Sequence, residues 1–216
     1  MEEGHASAGP EHRLERLVFF SDAVFAIAIT LLVIEIRAPH LPVHATTNQY
    51  WEALLELTPE FAGFLISFFV IGSFWRGHHR IFAAAHRWHD RIGMPNLLLL
   101  GTIAGLPFFT AFFSANVSGR LPAVLYCVWL LLAGLANLWL QRAVMTPPAV
   151  DEHADPDHLA FLHERGLAVV LGAATAAACA ALLPIPNTGL IALASITPWR
   201  RLLTTIRVRR RGVAPT

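Results

Sequence analysis

The chain has no lysine; its sixteen basic residues are all arginine. Charge of either sign is sparse, at 14% of the 216 residues, where an ordinary soluble domain carries about a quarter. That excludes a globular protein with a fully solvated surface. A net charge of +1 supplies no broad field for nucleic acid or acidic substrates, so the arginines matter through where they sit. Cysteine is nearly missing too. Cys127 and Cys179 each lie inside an apolar run without CxxC spacing, and read as small core residues, not as a disulfide or metal pair. What fills the chain is apolar: 55% of residues are hydrophobic, and the mean hydropathy is +0.52.

Six apolar segments stand out, at roughly 17–36, 58–77, 93–114, 121–142, 164–183 and 187–206. Each is near the ~20 residues that a membrane-spanning helix needs. Pro184 and Pro186 separate the last two and suit a turn at the membrane surface. Arginine placement orients the set. Arg13 and Arg16 precede the first segment; Arg76, Arg80, Arg87 and Arg91 follow the second; Arg200, Arg201, Arg207, Arg209, Arg210 and Arg211 end the chain. Only Arg37 and Arg120 fall on the other side. Basic loops stay in the cytoplasm, so both termini are expected there, as an even number of spans requires. The expected fold is an all-α, six-helix, multi-pass bundle in the plasma membrane. Residues 1–12 are expected to be disordered, 13–207 to form the transmembrane domain with a polar linker at 145–162, and 208–216 to form a basic cytoplasmic tail. The basic cluster 207–211 is expected on anionic lipid headgroups. Residues 38–57 then face outside, with Tyr50 and Trp51 as interfacial anchors.

The first segment carries an ionisable residue, Asp22, inside its first turns. A carboxylate is costly in hydrocarbon and marks function or a specific partner. At ~100° per residue, Ile27, Thr30, Leu31 and Ile34 share one narrow stripe that Ala23 and Phe20 continue, while Asp22 projects about 140° away from Ile27. Arg16 is also off the Asp22 face, so the carboxylate needs a partner on another helix. Trp75, His78 and His79, near the end of the second segment, lie at its depth, and Asn96 is a further option. A polar cluster of Ser21, Asp22, Trp75 and His78 or His79 is expected to lock the first helix into the bundle.

Arg16 followed by Phe20-Ser21-Asp22 resembles the R-x-x-x-F-S-D signature of the transmembrane protein 175 potassium channels. The similarity continues through Phe74-Trp75, His78-His79-Arg80, Leu97–Leu100 and Leu106-Pro107-Phe108. It covers the first three segments strongly and the rest only by hydropathy and spacing. The resemblance implies a cation channel of the prokaryotic form, one six-helix unit per subunit, assembled as a homotetramer around its first helices. It implies that apolar side chains of that helix make the constriction, with Ile27 the narrowest ring and Leu31 and Ile34 above it. No Gly-Tyr-Gly occurs, so a carbonyl filter of the usual potassium type is absent. An isoleucine ring would instead hold ions back by dewetting. Thr30, the one hydroxyl on the stripe, is the selectivity candidate. No cofactor is implied beyond the permeant potassium ion, and the expected partners are membrane lipids and further copies of the chain.

Other readings compete. The stripe is, on its own, an ordinary packing face. A proton-coupled carrier could use Asp22 or Glu35 as its relay, although no Gly/Pro-interrupted helix pair in matching halves supports the inverted-repeat design. His78, His79, His86 and His89 with Asp90, and His153, His158 and His163 later, have the composition of a membrane iron enzyme. Adjacent histidines point to different faces, however, and well-spaced repeated boxes are lacking. The acidic linker residues Asp151, Glu152, Asp155 and Asp157 do not match a calcium loop and read as solvated. No catalytic residues and no nucleic-acid partner are expected.

Overall fold

The computed structural model describes residues 10–151, 154–183 and 188–210, and among them all regular structure is helical. In chain order the helices are α1 (Pro10–Ile34), α2 (Thr47–Glu56), α3 (Thr58–Ala83), α4 (Gly93–Ser114), α5 (Arg120–Val144), α6 (Pro156–Leu182), α7 (Thr188–Leu193) and α8 (Ile196–Arg210). Among the described residues five helices, α1, α3, α4, α5 and α6, are long and apolar enough to cross a membrane.

Several boundaries differ from the sequence reading. Residues 1–9 lie outside the described residues, but residues 10–12 already open α1 instead of continuing a disordered arm. The second half of the 145–162 linker is helical, because Asp155 accepts from the Asp157 N–H at 2.9 Å and Pro156 sits at the first helical position, where its missing N–H costs nothing. In the 38–57 loop a capping box starts α2: Gln49 Oε1 accepts from the Thr46 N–H at 2.8 Å, and the Gln49 N–H donates to Thr46 Oγ1. No residue of α2 is buried, and its Tyr50 and Trp51 are exposed.

The largest difference is in the last segment. Residues 187–206, expected as one helix, divide into α7 and α8, with a turn at Ala194–Ser195. Pro198 favours the break: it has no N–H to give the Ala194 carbonyl, and it sits in the first turn of α8, where none is needed. The two pieces still run antiparallel along α6. Gly189 lies against Ala180 and Cys127, and Ile196 presses on Gly172, where any side chain would collide. Farther along, the Trp199 indole donates to Thr175 Oγ1 at 3.1 Å and Thr204 donates to Glu164 at 3.2 Å. At the end, Arg207 pairs with Glu164 at 2.9 Å and donates to the Asp157 carbonyl at 3.3 Å. Arg207 is therefore an internal tie, not the first residue of a lipid-facing tail. Residues 211–216 lie outside the described residues.

Packing follows side-chain size. α5 and α6 approach closely where Gly134 faces Val169 and Val170 and Gly166 faces Gln141, positions at which a small residue leaves room for the neighbouring helix. α1, α3 and α4 instead interlock through larger residues: Phe25, Leu32, Ile71, Ile81, Leu99 and Ile103 are almost fully buried. Within α4, Pro107 removes the donor for the Ile103 carbonyl, and the Trp129 indole donates nearby to the Thr102 carbonyl at 2.8 Å. Large side chains such as Phe61, Leu65, Phe69 and Phe108 remain exposed, as suits a lipid-facing belt.

Candidate functional site

α1 has two faces of different character. Ser21, Phe25, Ala28 and Leu32, spaced four, three and four apart, are buried against the rest of the bundle. The opposite face carries Phe20, Ile27, Leu31 and Ile34, at 54%, 58%, 39% and 68% exposure, with Ala23, Ala26 and Thr30 exposed among them. Thr30 donates to the Ile27 carbonyl at 2.8 Å, so its hydroxyl proton is satisfied within α1 and its oxygen stays at the surface. The signature is split between the faces: Ser21 and Asp22 turn toward neighbouring helices, whereas Arg16 and Phe20 are exposed.

Two hydrogen-bonded groups fix the inner face at its arginine-rich end. In the first, Asp22 Oδ1 accepts from the Trp75 indole at 2.9 Å and lies 3.1 Å from His79 Nε2. The Trp75 and His79 rings meet edge to face with centroids 4.7 Å apart, which holds both donors on one acceptor. Asp22 and His79 keep 35% and 43% side-chain exposure, so this pair sits at the margin of the bundle.

The second group is fully enclosed. His78 Nε2 lies 2.9 Å from Asn96 Oδ1, Asn96 Nδ2 donates to Ser21 Oγ at 3.0 Å, and Ser21 donates to the Leu17 carbonyl at 2.8 Å. An amide oxygen only accepts, so His78 is the donor in this chain. Its ring is wedged between Phe25 and Phe82, with centroids 5.5 and 4.5 Å away. α1, α3 and α4 are thus joined at one depth by a continuous run of hydrogen bonds. Trp75 and His79 serve Asp22, while Asn96, weighed in the sequence as a partner for that carboxylate, serves Ser21 and His78. An alternation signals this arrangement: consecutive polar residues on a helix diverge by ~100° and reach different neighbours.

The remaining histidines do not converge. Among the described residues no group of three or more His, Cys, Asp or Glu side chains could hold a metal ion. His89 Nδ1 accepts from the Arg91 N–H at 3.2 Å, a local cap. Glu35 is exposed near the far end of α1, and His153 lies outside the described residues.

Sequence reasoning passed over a second polar region. α3, α5, α6 and α8 enclose a cavity of about 370 Å³ that includes Arg80, Arg165 and Arg200 together with Asn137 and Gln141. Asn137 and Gln141 are four residues apart within an apolar span, and that spacing was the available signal.

Residues 16–107 match the family model for the endosomal/lysosomal potassium channel TMEM175. A potassium channel of Streptomyces collinus is 40% identical over 96 residues, covering 44% of this chain and 45% of that protein. The endosomal/lysosomal proton channel TMEM175 of Bos taurus is 30% identical over 147 residues, 64% of this chain and 30% of that protein. The chain thus spans less than two thirds of the length of these curated relatives. The crystal structure of a lysosomal potassium-selective channel TMEM175 homolog from Chamaesiphon minutus superposes with a TM-score of 0.72 at 26% identity, covering 89% of this chain and 97% of that one.

Proposed function

From the match of residues 16–107 to the TMEM175 family model, we propose that the chain belongs to that family and is one subunit of a potassium-conducting channel in the plasma membrane. The observation that carries this reading is the face of α1 that, among the described residues, nothing covers, opposite a face held by two hydrogen-bonded groups. A lipid-facing stripe would account for exposure alone. Here, though, the exposed face mixes Ala23, Ala26 and Thr30 with Ile27, Leu31 and Ile34, and small residues permit helices to meet closely. The exposed face of α3 carries Phe61, Leu65, Phe68 and Phe69 instead, the bulk expected toward lipid.

In this reading four subunits place α1 around a common axis. Ile27 forms the narrowest ring, with Leu31 and Ile34 beyond it. Four isoleucines offer an ion nothing in place of its hydration shell, so the ring acts as a barrier that must wet before ions pass. Thr30, one turn from Ile27, presents hydroxyl oxygens to a partly dehydrated cation and favours potassium over sodium. Six crossings fit the way α7 and α8 together follow α6 from Asp157 to Ala180, about 24 residues or roughly 35 Å. Both termini then lie with the arginine-rich end in the cytoplasm. The conduction is passive and involves no enzyme chemistry.

Asp22 is not a relay on the conduction path in this account, because its oxygen is engaged by Trp75 and His79 away from the stripe. The test is flux in proteoliposomes with opposed potassium and sodium gradients and protons clamped. Potassium-driven voltage, increased by Ile27→Ala and abolished by Ile27→Trp, supports the channel. Voltage that develops only with a proton gradient contradicts it and favours proton transport.

A further inference from the structure

We propose that the cavity between α3, α5, α6 and α8 is a binding site for one anionic phospholipid, its phosphate held by Arg80, Arg165 and Arg200. The cavity is a built feature with a polar and an apolar end. Gln141 and Gly166 touch at one level, and Gly134 meets Val169 and Val170 two turns deeper, which fixes how the α5 and α6 residues line up. Arg80 and Arg165 fall at the level of Gln141, near the arginine-rich end of the bundle. Arg200 and Asn137 lie just above them. Phe69, Val70, Val169 and Ile196 close the deeper end, and the cavity holds about 370 Å³.

The charge at the polar end is uncompensated. Arg80, Arg200 and Arg76 all act on Arg165 as like charges. Glu164, the neighbouring acid, is committed to Arg207 and Thr204. Among the described residues Arg80, Arg165 and Arg200 have no ion-pair partner. Three guanidinium groups around one opening, Arg80 and Arg165 partly buried and Arg200 exposed, form a cationic rim, and a phosphate there gains charge-assisted hydrogen bonds from more than one of them.

A second observation concerns the deeper end, which Phe69, Val70, Val169 and Ile196 make apolar. A ligand that fills the whole cavity therefore brings negative charge and an apolar tail. Phosphatidylglycerol has both: its phosphate meets the arginines, and an acyl chain follows Phe69, Val70 and Ile196 toward the membrane centre. A free phosphate would leave the apolar end unfilled. Basic pockets between transmembrane helices are a general form of headgroup recognition.

The test uses the purified, delipidated full chain in detergent, titrated with dioleoyl phosphatidylglycerol, dioleoyl phosphatidylcholine and inorganic phosphate, with bound lipid counted by native mass spectrometry. One phosphatidylglycerol per subunit should bind at least about tenfold more tightly than phosphatidylcholine, and Arg165→Gln and Arg200→Gln should each weaken it about tenfold. Arg120→Gln, at the other end of the bundle, should leave binding unchanged. Thermal unfolding followed in parallel should show stabilisation of the wild type by phosphatidylglycerol, reduced in Arg200→Gln, which keeps the reading decisive if Arg165→Gln does not fold. Equal binding of the two lipids, or full binding by the folded Arg200→Gln protein, would overturn the proposal. So would stabilisation by inorganic phosphate equal to that by the lipid, which would mark a plain anion site.

Discussion

The two faces of α1 are built from the same helix but answer to different requirements. The inner face is specified residue by residue: Phe25, Ala28 and Leu32 are about 1% exposed, and Ser21 and Asp22 are hydrogen-bonded to side chains of α3 and α4. Its outer face is specified as narrow and largely apolar, and among the described residues nothing covers Ile27 or Ile34. Polar groups close one face and hydrophobicity leaves the other open. In the proposed channel an ionisable residue of a membrane helix lies off the path of the ion. Asp22 is tied to Trp75 and His79 on the inner side, and the residues on the opposite side are presented outward.

The comparison can be broken from either side. The largest effect on stability is expected from Asn96→Leu. It removes the partner of His78 Nε2, and His78 Nδ1 already lacks one, so the buried imidazole is left with no hydrogen bond. The cost should be about 2 kcal/mol, read as a lower unfolding midpoint and a smaller yield of assembled protein. Asp22→Ala should cost less, about 1 kcal/mol, because Asp22 and His79 are partly exposed and water can replace the lost acceptor. Its potassium over sodium ratio should stay at the wild-type value. A changed ratio at unchanged stability would move Asp22 from an anchoring role to the conduction path. Thr30→Ala should show the reverse pattern. Stability should change by less than about 0.5 kcal/mol, since the hydroxyl bonds only within its own helix, while the potassium over sodium ratio should fall severalfold in bi-ionic flux.

Much of this was legible in the sequence, for physical reasons that can be named. A helix advances a fixed angle per residue, so Asp22 could be separated from Ile27 and Ile34 without coordinates. Depth was legible too, because Trp75, His78, His79 and Asn96 sit at segment ends. Which donor meets which acceptor was not, since four candidates share one depth and only helix rotation distinguishes them. The last segment was misjudged as a single helix. Hydropathy sums over a window and is blind to one missing N–H at Pro198, and the small residue that accommodates the break, Gly172, lies on a different helix. The cavity with Arg80, Arg165 and Arg200 was invisible for the same reason. Its residues come from four helices, and no local pattern joins them.

The most direct test of the central claim is thiol accessibility on the outer face of α1. Ile27→Cys would be placed in a Cys179→Ala background, because Cys127 is buried and Cys179 is not fully so. The account predicts that a small water-soluble thiol reagent stops potassium flux through the Ile27→Cys protein, while the same reagent leaves a Leu65→Cys protein, altered on the exposed face of α3, conducting normally. Undiminished flux through fully modified Ile27→Cys protein would contradict it, because ions would then be passing by a route that α1 does not line.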